Sequence, residues 1–150
     1  MPRLQALVVR DDAVLMVKHD HQNDSWWCLP GGGLEEGESA EQGTLRELKE
    51  ECNVDGEVVR LSSWWVSEDP EGETITYLVD IGDQEPRLGV DPEIADEPPI
   101  LVDVRWFRLS EMAERDRAFL WAAGLLGTGG FYKEVERWGN EVSYPRANES

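Results

Sequence analysis

A triple glycine leading into an acid-crowded helix limits this chain more than any other feature in it. Gly31-Gly32-Gly33 runs through Leu34-Glu35-Glu36-Gly37-Glu38 into residues 39–52. Ser39 and Gln42 have the spacing of a capping box, so a helix starts at Ala40. At about 100° per residue, Leu45, Leu48 and Cys52 share one side of it. Arg46, Glu47, Glu50 and Glu51 fall on the opposite arc. The small residues Ala40 and Gly43 lie on that same arc and are expected to leave open space above the carboxylates. An ordinary solvated face mixes its signs, whereas most of this arc is acid. Glu47 and Glu51 are an i,i+4 like-charge pair, which costs ~0.2–0.5 kcal/mol in an isolated helix. Gly43 in mid-helix costs a further ~1 kcal/mol against alanine. A divalent cation would turn the repulsion into coordination by hard oxygens, with waters and substrate phosphates as its other ligands. Carbonyl groups of the glycine loop could add another oxygen.

The rest of the chain reads as short strands and a second helix. The β-rich runs 4–9 and 13–17 flank Arg10-Asp11-Asp12, a hairpin signature. Residues 25–29 form a short strand that stops at Pro30 and the glycine loop. Strands over 57–66 and 73–81 are joined through Asp69-Pro70-Glu71-Gly72, a strong turn sequence. Residues 82–99 are polar and carry Pro86, Pro92, Pro98 and Pro99, a long loop of the functional kind. A last strand covers 100–109. Ser110 caps a helix reaching Leu126, and the glycines of 127–130 break it. The aromatic residues of the tail, among them Phe131, Trp138 and Tyr144, are expected to pack on the body. Strands, helix, strands, helix, with hairpins throughout, gives an α/β (α+β) fold: a mixed sheet with helices packed on it.

Composition narrows the partners. A chain of 150 residues is one domain's worth, 1–150. Its 14 basic against 32 acidic residues leave a charge of −18, which excludes most nucleic-acid binders and docking on anionic membranes. A hydrophobic content of 40 % is too high for a disordered acidic segment. Two cysteines, Cys28 and Cys52, make neither a disulfide framework nor a zinc knuckle; they read as small apolar core residues in a reducing compartment. Residues 1–6 lack the apolar core of a signal peptide, and no apolar run approaches the ~20 residues of a bilayer span. The expectation is a soluble cytoplasmic protein. Lys18, Lys49 and Lys133 are the only lysines, a pattern that suits either a salty cytoplasm or the handling of divalent cations. His19 and His21 have ligand-like spacing but sit beside a turn without a third ligand. Trp26, Trp27, Trp64 and Trp65 could stack on a base, with strand alternation turning one of each pair inward.

The helix and its approach resemble a known family. Gly32, five residues, Glu38, seven residues, then Arg46-Glu47-Leu48-Lys49-Glu50-Glu51-Cys52-Asn53-Val54 resembles the Nudix box, here residues 32–54, and eight of its nine specified positions match. Trp27-Cys28-Leu29-Pro30-Gly31-Gly32 resembles the strand and loop that lead into the box. Val104-Arg105-Trp106-Phe107 with Leu109-Ser110 resembles the family's later strand and its turn into the last helix. The single departure is Asn53, where the family has glycine. Asn tolerates the left-handed conformation that ends such a helix, so a small stability cost and intact chemistry are expected.

The resemblance implies a Nudix-type α/β/α sandwich with a mixed β-sheet. It also implies hydrolysis of a nucleoside diphosphate linked to another moiety. Glu47, Glu50 and Glu51 would hold Mg²⁺, or Mn²⁺ in its place, with the Gly32 carbonyl as a further ligand. Arg46 would pair with Glu38 or Glu47 and orient it, while Glu38 and Asn53 serve the structure of the box. A carboxylate must accept the proton of the attacking water; Glu93, Glu97 and Asp103 are candidates, Glu93 the preferred one. Pro70 lies 16 residues past Val54, a spacing that resembles ADP-ribose pyrophosphatases and favours an ADP-ribose-like substrate. The alternatives are a nucleoside triphosphate pyrophosphohydrolase of the mutation-avoidance type and a non-catalytic, nucleotide-sensing domain. The expected partner is a small nucleotide, with neither nucleic acid nor membrane; homodimer formation is left open.

Overall fold

The computed structural model describes residues 2–11, 13–22, 24–66, 72–89, 101–108, 111 and 124. The chain order is β1 (Arg3–Leu7), β2 (Val9–Arg10), β3 (Ala13–His21), β4 (Asp24–Cys28), β5 (Gly31–Gly33), α1 (Ala40–Cys52), β6 (Glu57–Val66), β7 (Glu73–Asp80) and β8 (Leu101–Arg108). Among the described residues the strands form two four-stranded sheets. One runs β5-β1-β7-β6, and in the other β3 pairs with β2, β4 and β8. β1 and β7 are parallel, and the other pairings are antiparallel, so the architecture is mixed, as expected.

The expected hairpin is largely dissolved. Of the run 4–9 only its end keeps that pairing: Val9 pairs with Val14, the turn residue Arg10 pairs with Ala13, and the Leu15 amide donates to the Val8 carbonyl. Residues 3–7 instead form an inner strand of the other sheet, between β5 and β7. The reason is burial on both faces: Leu4, Ala6, Leu7 and Val8 are all inaccessible, which a hairpin arm with one wet face does not allow.

The glycine loop is also more ordered than expected. Gly31–Gly33 is a short strand antiparallel to Arg3–Gln5. Any Cβ on Gly31 would collide with the Leu4 carbonyl oxygen, so close backbone approach is what glycine provides here.

Alternation along β3 makes two apolar layers. Leu15 and Val17 join Ala6, Val8, Leu48, Cys52, Val54, Val79 and Ile81 beneath α1, with Leu45 partly buried at the margin. Val14 and Met16 face the other way, onto Leu7 and Leu29, with Trp27, Leu78 and Phe107 around them. Leu45, Leu48 and Cys52 therefore carry the inner side of α1, as its periodicity requires. Among the described residues α1 is the one helix, and none is long and apolar enough to cross a membrane. Of the helix expected from Ser110 to Leu126, Glu111 and Gly124 are described, and Gly124, at φ 85°, is a turn residue and not helical, contrary to that reading. The rest of that helix, the glycine break, the tail, the 69–71 part of the turn and all of 90–100 lie outside the described residues.

α1 is capped as read. Ser39 accepts from the Gln42 amide and Gln42 returns a carbonyl to the Ser39 amide. Asn53 takes the left-handed conformation at φ 56°, ψ 38°. Two amides of the following loop complete the C-terminus: Arg87 donates to the Cys52 carbonyl at 2.9 Å and Gly89 to the Glu51 carbonyl at 2.8 Å. The polar loop is thus moored to the end of the acidic helix before it continues past the described residues.

Candidate active site

Arg46 stands at the centre of the acidic face. Its Nε donates to Glu38 Oε2 at 3.0 Å and its Nη2 to Glu38 Oε1 at 2.8 Å, a two-pronged pair. Nη2 also reaches the Gly33 carbonyl at 3.0 Å. Nη1 lies 3.1 Å from Glu47 Oε1, 3.2 Å from Glu50 Oε2 and 3.5 Å from Glu35 Oε1. One guanidinium therefore ties the approach segment, β5 and the helix face together. Its hydrogen bonds hold the Glu38 carboxyl below the usual carboxylate range, helped by the Glu35 amide. In return Glu38, followed by Glu47, raises the Arg46 guanidinium still further.

Glycine at 32 and 43 lets backbone and carboxylates meet. A Cβ on Gly32 would lie 2.5 Å from Glu47 Oε1, so that carboxylate rests directly on β5. Gly43 does not border open space, contrary to the helical-arc reading. It is buried, and a Cβ there would sit 2.5 Å from Leu4 Cδ1 and 2.7 Å from Glu38 Oε1. The helix crosses β1 at this point, and a contact with a distant strand is invisible to periodicity.

Glu51 is the second correction. The arc placed it in solvent, yet it is 8 % exposed. Its Oε1 accepts from the Gly31 amide at 2.7 Å, and its Oε2 lies 3.7 Å from His19 Nε2. Burying a carboxylate is costly unless donors compensate, and here the backbone of β5 supplies one. Beneath it the Cys52 thiol is pushed up by burial, then by the Glu51 charge, and stays neutral.

The structure thus brings together Arg46, Glu38, Glu47 and Glu50, sets Gly32 against Glu47, and sets Glu51 against β5. Glu93 and Glu97 lie outside the described residues. Asp103, on β8, accepts from the Val104 amide at 2.8 Å and pairs with Arg105 at 3.5 Å. Neither contact involves the acidic helix. Trp27 turns inward onto Phe107, ring centroids 4.6 Å apart, while Trp26 stands edge-on to His19. Trp64 and Trp65 break the alternation expected of them. Both are exposed, although their pairing along β7, opposite Ile75 and Thr74, is regular.

Sequence reasoning set His19 aside for want of a third ligand, yet its ring lies beside Glu51. The signal was present: alternation along β3 puts it on the face of Leu15 and Val17, which is the face that α1 covers. Its imidazole is held below its usual pKa by burial first and by the Arg3 cation second. Arg3, on β1 beside Gly33, is a cation near the site that the sequence did not mark.

The donor set is hard oxygen throughout, the chemistry that suits Mg²⁺ or Mn²⁺. Glu47 and Glu50 already flank a cationic nitrogen, Arg46 Nη1. Among the described residues, no three acidic, imidazole or thiol side chains converge as they stand to hold an ion. Arg46 and the Gly31 amide draw the three glutamates toward different partners.

The family model of the NUDIX domain matches residues 2–126. The chain belongs to the NUDIX family. Over 45 residues this NUDIX chain is 49 % identical to an RNA pyrophosphohydrolase of Wolbachia pipientis subsp. Culex pipiens, covering 29 % of the chain and 28 % of that protein. Over 73 residues it is 34 % identical to human diphosphoinositol polyphosphate phosphohydrolase 3-alpha, covering 48 % of the chain and 44 % of that protein. The chain therefore spans less than half the length of either curated relative. A NUDIX hydrolase of Nitrosomonas europaea has the same fold, with a TM-score of 0.67 at 22 % identity over 92 % of this chain and 72 % of its own.

Proposed function

We propose that this NUDIX protein hydrolyses a phosphoanhydride bond with the help of Mg²⁺ or Mn²⁺, in a nucleoside diphosphate joined to a second moiety. The observation that carries the reading is the assembly of Arg46, Glu38, Glu47 and Glu50 on α1 against the backbone of β5. The relatives' names support the reaction class and differ in the group attached to the phosphates. An ADP-ribose-like compound is the favoured substrate, on the spacing of Pro70 from the box.

Glu47, Glu50 and Glu51, with the Gly32 carbonyl, would hold the cation. When bound, a divalent cation supplies charge neutralisation on the phosphate oxygens and acidifies the attacking water. The chain's own residues do the positioning. Arg46 aims Glu47 and Glu50 through Nη1, and Glu38 anchors Arg46 through both of its carboxylate oxygens. The Gly31 amide fixes Glu51. The proton of the attacking water goes to a carboxylate, and Glu93 is the proposed acceptor. Its loop leaves the C-terminus of α1, where the Arg87 and Gly89 amides moor it.

The test is hydrolysis of a nucleotide panel with products resolved, with Mg²⁺, with Mn²⁺ and with chelator. Release of AMP and ribose 5-phosphate from ADP-ribose is expected. Pyrophosphate release from nucleoside triphosphates alone would replace the substrate with the mutation-avoidance class. Nucleotide binding without hydrolysis of any compound would make the domain a sensor.

A further inference from the structure

The last turn of α1 carries Glu50 and Glu51, and a distant part of the chain completes it. Were the helix to continue, the carbonyls of Glu51 and Cys52 would accept from the amides of Asp55 and Gly56. The helix stops at the left-handed Asn53, and residues 82–89 replace what is lost. The Gly89 amide donates to the Glu51 carbonyl at 2.8 Å, and the Arg87 amide to the Cys52 carbonyl at 2.9 Å. The Asp55 amide, released from the helical ladder, donates to Gln84 Oε1 at 3.0 Å, and Gln84 Nε2 donates to the Asp55 carbonyl at 2.6 Å. Arg10, on β2, holds the same segment from behind. Its Nη2 donates to the carbonyls of Gly82 and Gln84 at 2.9 and 2.6 Å, and its Nη1 to Glu85 Oε1 at 3.0 Å. The guanidinium lies 4.7 Å from the centre of the Trp106 ring on β8. Gly89 lies flat against the helix end. Any Cβ there would collide with the Glu50 carbonyl oxygen and sit 3.2 Å from the Glu51 carbonyl carbon. Its φ is not positive, so closeness is what glycine provides.

We infer that Gly89 is a positioning residue for Glu50 and Glu51: seated against the peptide that joins them and backed by Arg10, it fixes the backbone from which both carboxylates reach the ion. The inference rests on the proposed reading of these two glutamates as ligands of the divalent cation. Glu51 is then held at both ends, its carbonyl by the Gly89 amide and its Oε1 by the Gly31 amide at 2.7 Å. Helix ends fray where their last carbonyls lack donors, and a frayed last turn would scatter the two carboxylates that must converge. Partners that touch a ligand and not the ion commonly change metal affinity or activity by ~10–100-fold when removed. Linkage makes the effect reciprocal: if the seated loop tightens ion binding, the bound ion tightens the seat by the same factor. A cap that serves the fold alone gives no such coupling.

The experiment is direct Mn²⁺ titration, read as the magnetic-resonance signal of free Mn²⁺, on the wild-type protein, on Gly89→Ala and on Val14→Ala. The alanine methyl at 89 must lift the loop from the helix end. Val14→Ala is the control for lost stability alone, since it empties a buried position in the layer away from α1. Mn²⁺ binding about tenfold weaker in Gly89→Ala, with wild-type affinity in Val14→Ala, is expected. Wild-type affinity in Gly89→Ala, or an equal loss in both variants, overturns the inference while leaving the proposed function standing. A wild-type protein that binds no Mn²⁺ strikes the reading of the glutamates themselves, and the inference falls with it. Should Gly89→Ala fail to fold, amide hydrogen exchange of the wild type with and without saturating Mg²⁺ decides. Exchange at Arg87 and Gly89 slowed about tenfold by the ion is expected, and unchanged exchange at both overturns the inference.

Discussion

Replacing Gly43 by alanine sets two effects of opposite sign against each other. In an exposed helix interior the change would stabilise by about 1 kcal/mol, since glycine loses more backbone freedom on folding. Here the new methyl would sit 2.5 Å from Leu4 Cδ1 and 2.7 Å from Glu38 Oε1. Leu4 is fully buried on an inner strand, so its side chain would have to shift within the core to make room. Overpacking of that kind costs ~1–3 kcal/mol. Glu38 Oε1 is moreover the acceptor of both Arg46 Nη2 and the Glu35 amide, each at 2.8 Å. Displacing it weakens a charge-assisted hydrogen bond of ~1.5–3 kcal/mol. The losses exceed the gain, and a net destabilisation of about 1–3 kcal/mol is expected. Urea unfolding of Gly43→Ala beside wild type, at pH 7 and without divalent ions, measures it. A variant more stable by the full propensity gain would show that α1 does not touch β1 at this residue, and the packing argument would fail.

Three further outcomes follow from the same structure. Millimolar Mg²⁺ or Mn²⁺ should raise the melting temperature by mass action, and an unchanged melting curve together with no bound ion would remove the site. Glu38 has a carboxyl pKa held down by Arg46 in the folded state, so its contribution to stability is present above the ordinary carboxylate range and is lost as pH falls through the lowered value. The stability gap between wild type and Glu38→Gln, read from urea midpoints from pH 7 to pH 3, should therefore shrink on acidification; a constant gap would contradict the pairing. Leu48→Ala empties a fully buried position beneath α1 and should cost ~2–5 kcal/mol in the same assay, where a loss under 1 kcal/mol would show that the helix does not rest on Leu48.

What could be read from the sequence was local. The capping box of Ser39 and Gln42, the inner stripe of Leu45, Leu48 and Cys52, and the left-handed Asn53 depend on neighbours a few residues away, and α1 emerged as expected. The strands over 57–66, 73–80 and 101–108 followed from β-branched and aromatic runs between turn residues. The failures were all at contacts between distant segments. The run 4–9 looked like a hairpin arm because its nearest β-rich neighbour is 13–17, yet burial on both faces gave β1 to Gly31–Gly33 and β7. Gly43 and Glu51 lie on the polar arc of α1, but β1 and β5 cross that arc, so one became a packing contact and the other a buried acid. Arg46 was expected to pair with Glu38 or Glu47; the structure joins it to both, and to Glu50 and Gly33 as well, since β5 folds back over the helix face.

The proposed chemistry is most directly tested by comparing steady-state turnover of wild type and Glu51→Gln on a hydrolysed pyrophosphate substrate at saturating Mg²⁺, with Glu41→Gln as the control on an exposed part of α1. The glutamine amide can still accept the Gly31 N–H, and it relieves the burial of a charge, so the variant should fold with stability near that of wild type. A neutral amide is a poor ligand for Mg²⁺ and gives little electrostatic stabilisation at the phosphoryl group. Turnover lower by orders of magnitude, with an intact fold and an unaffected Glu41→Gln, is the result expected. Near wild-type turnover in Glu51→Gln would contradict the metal-ligand role on which the account depends.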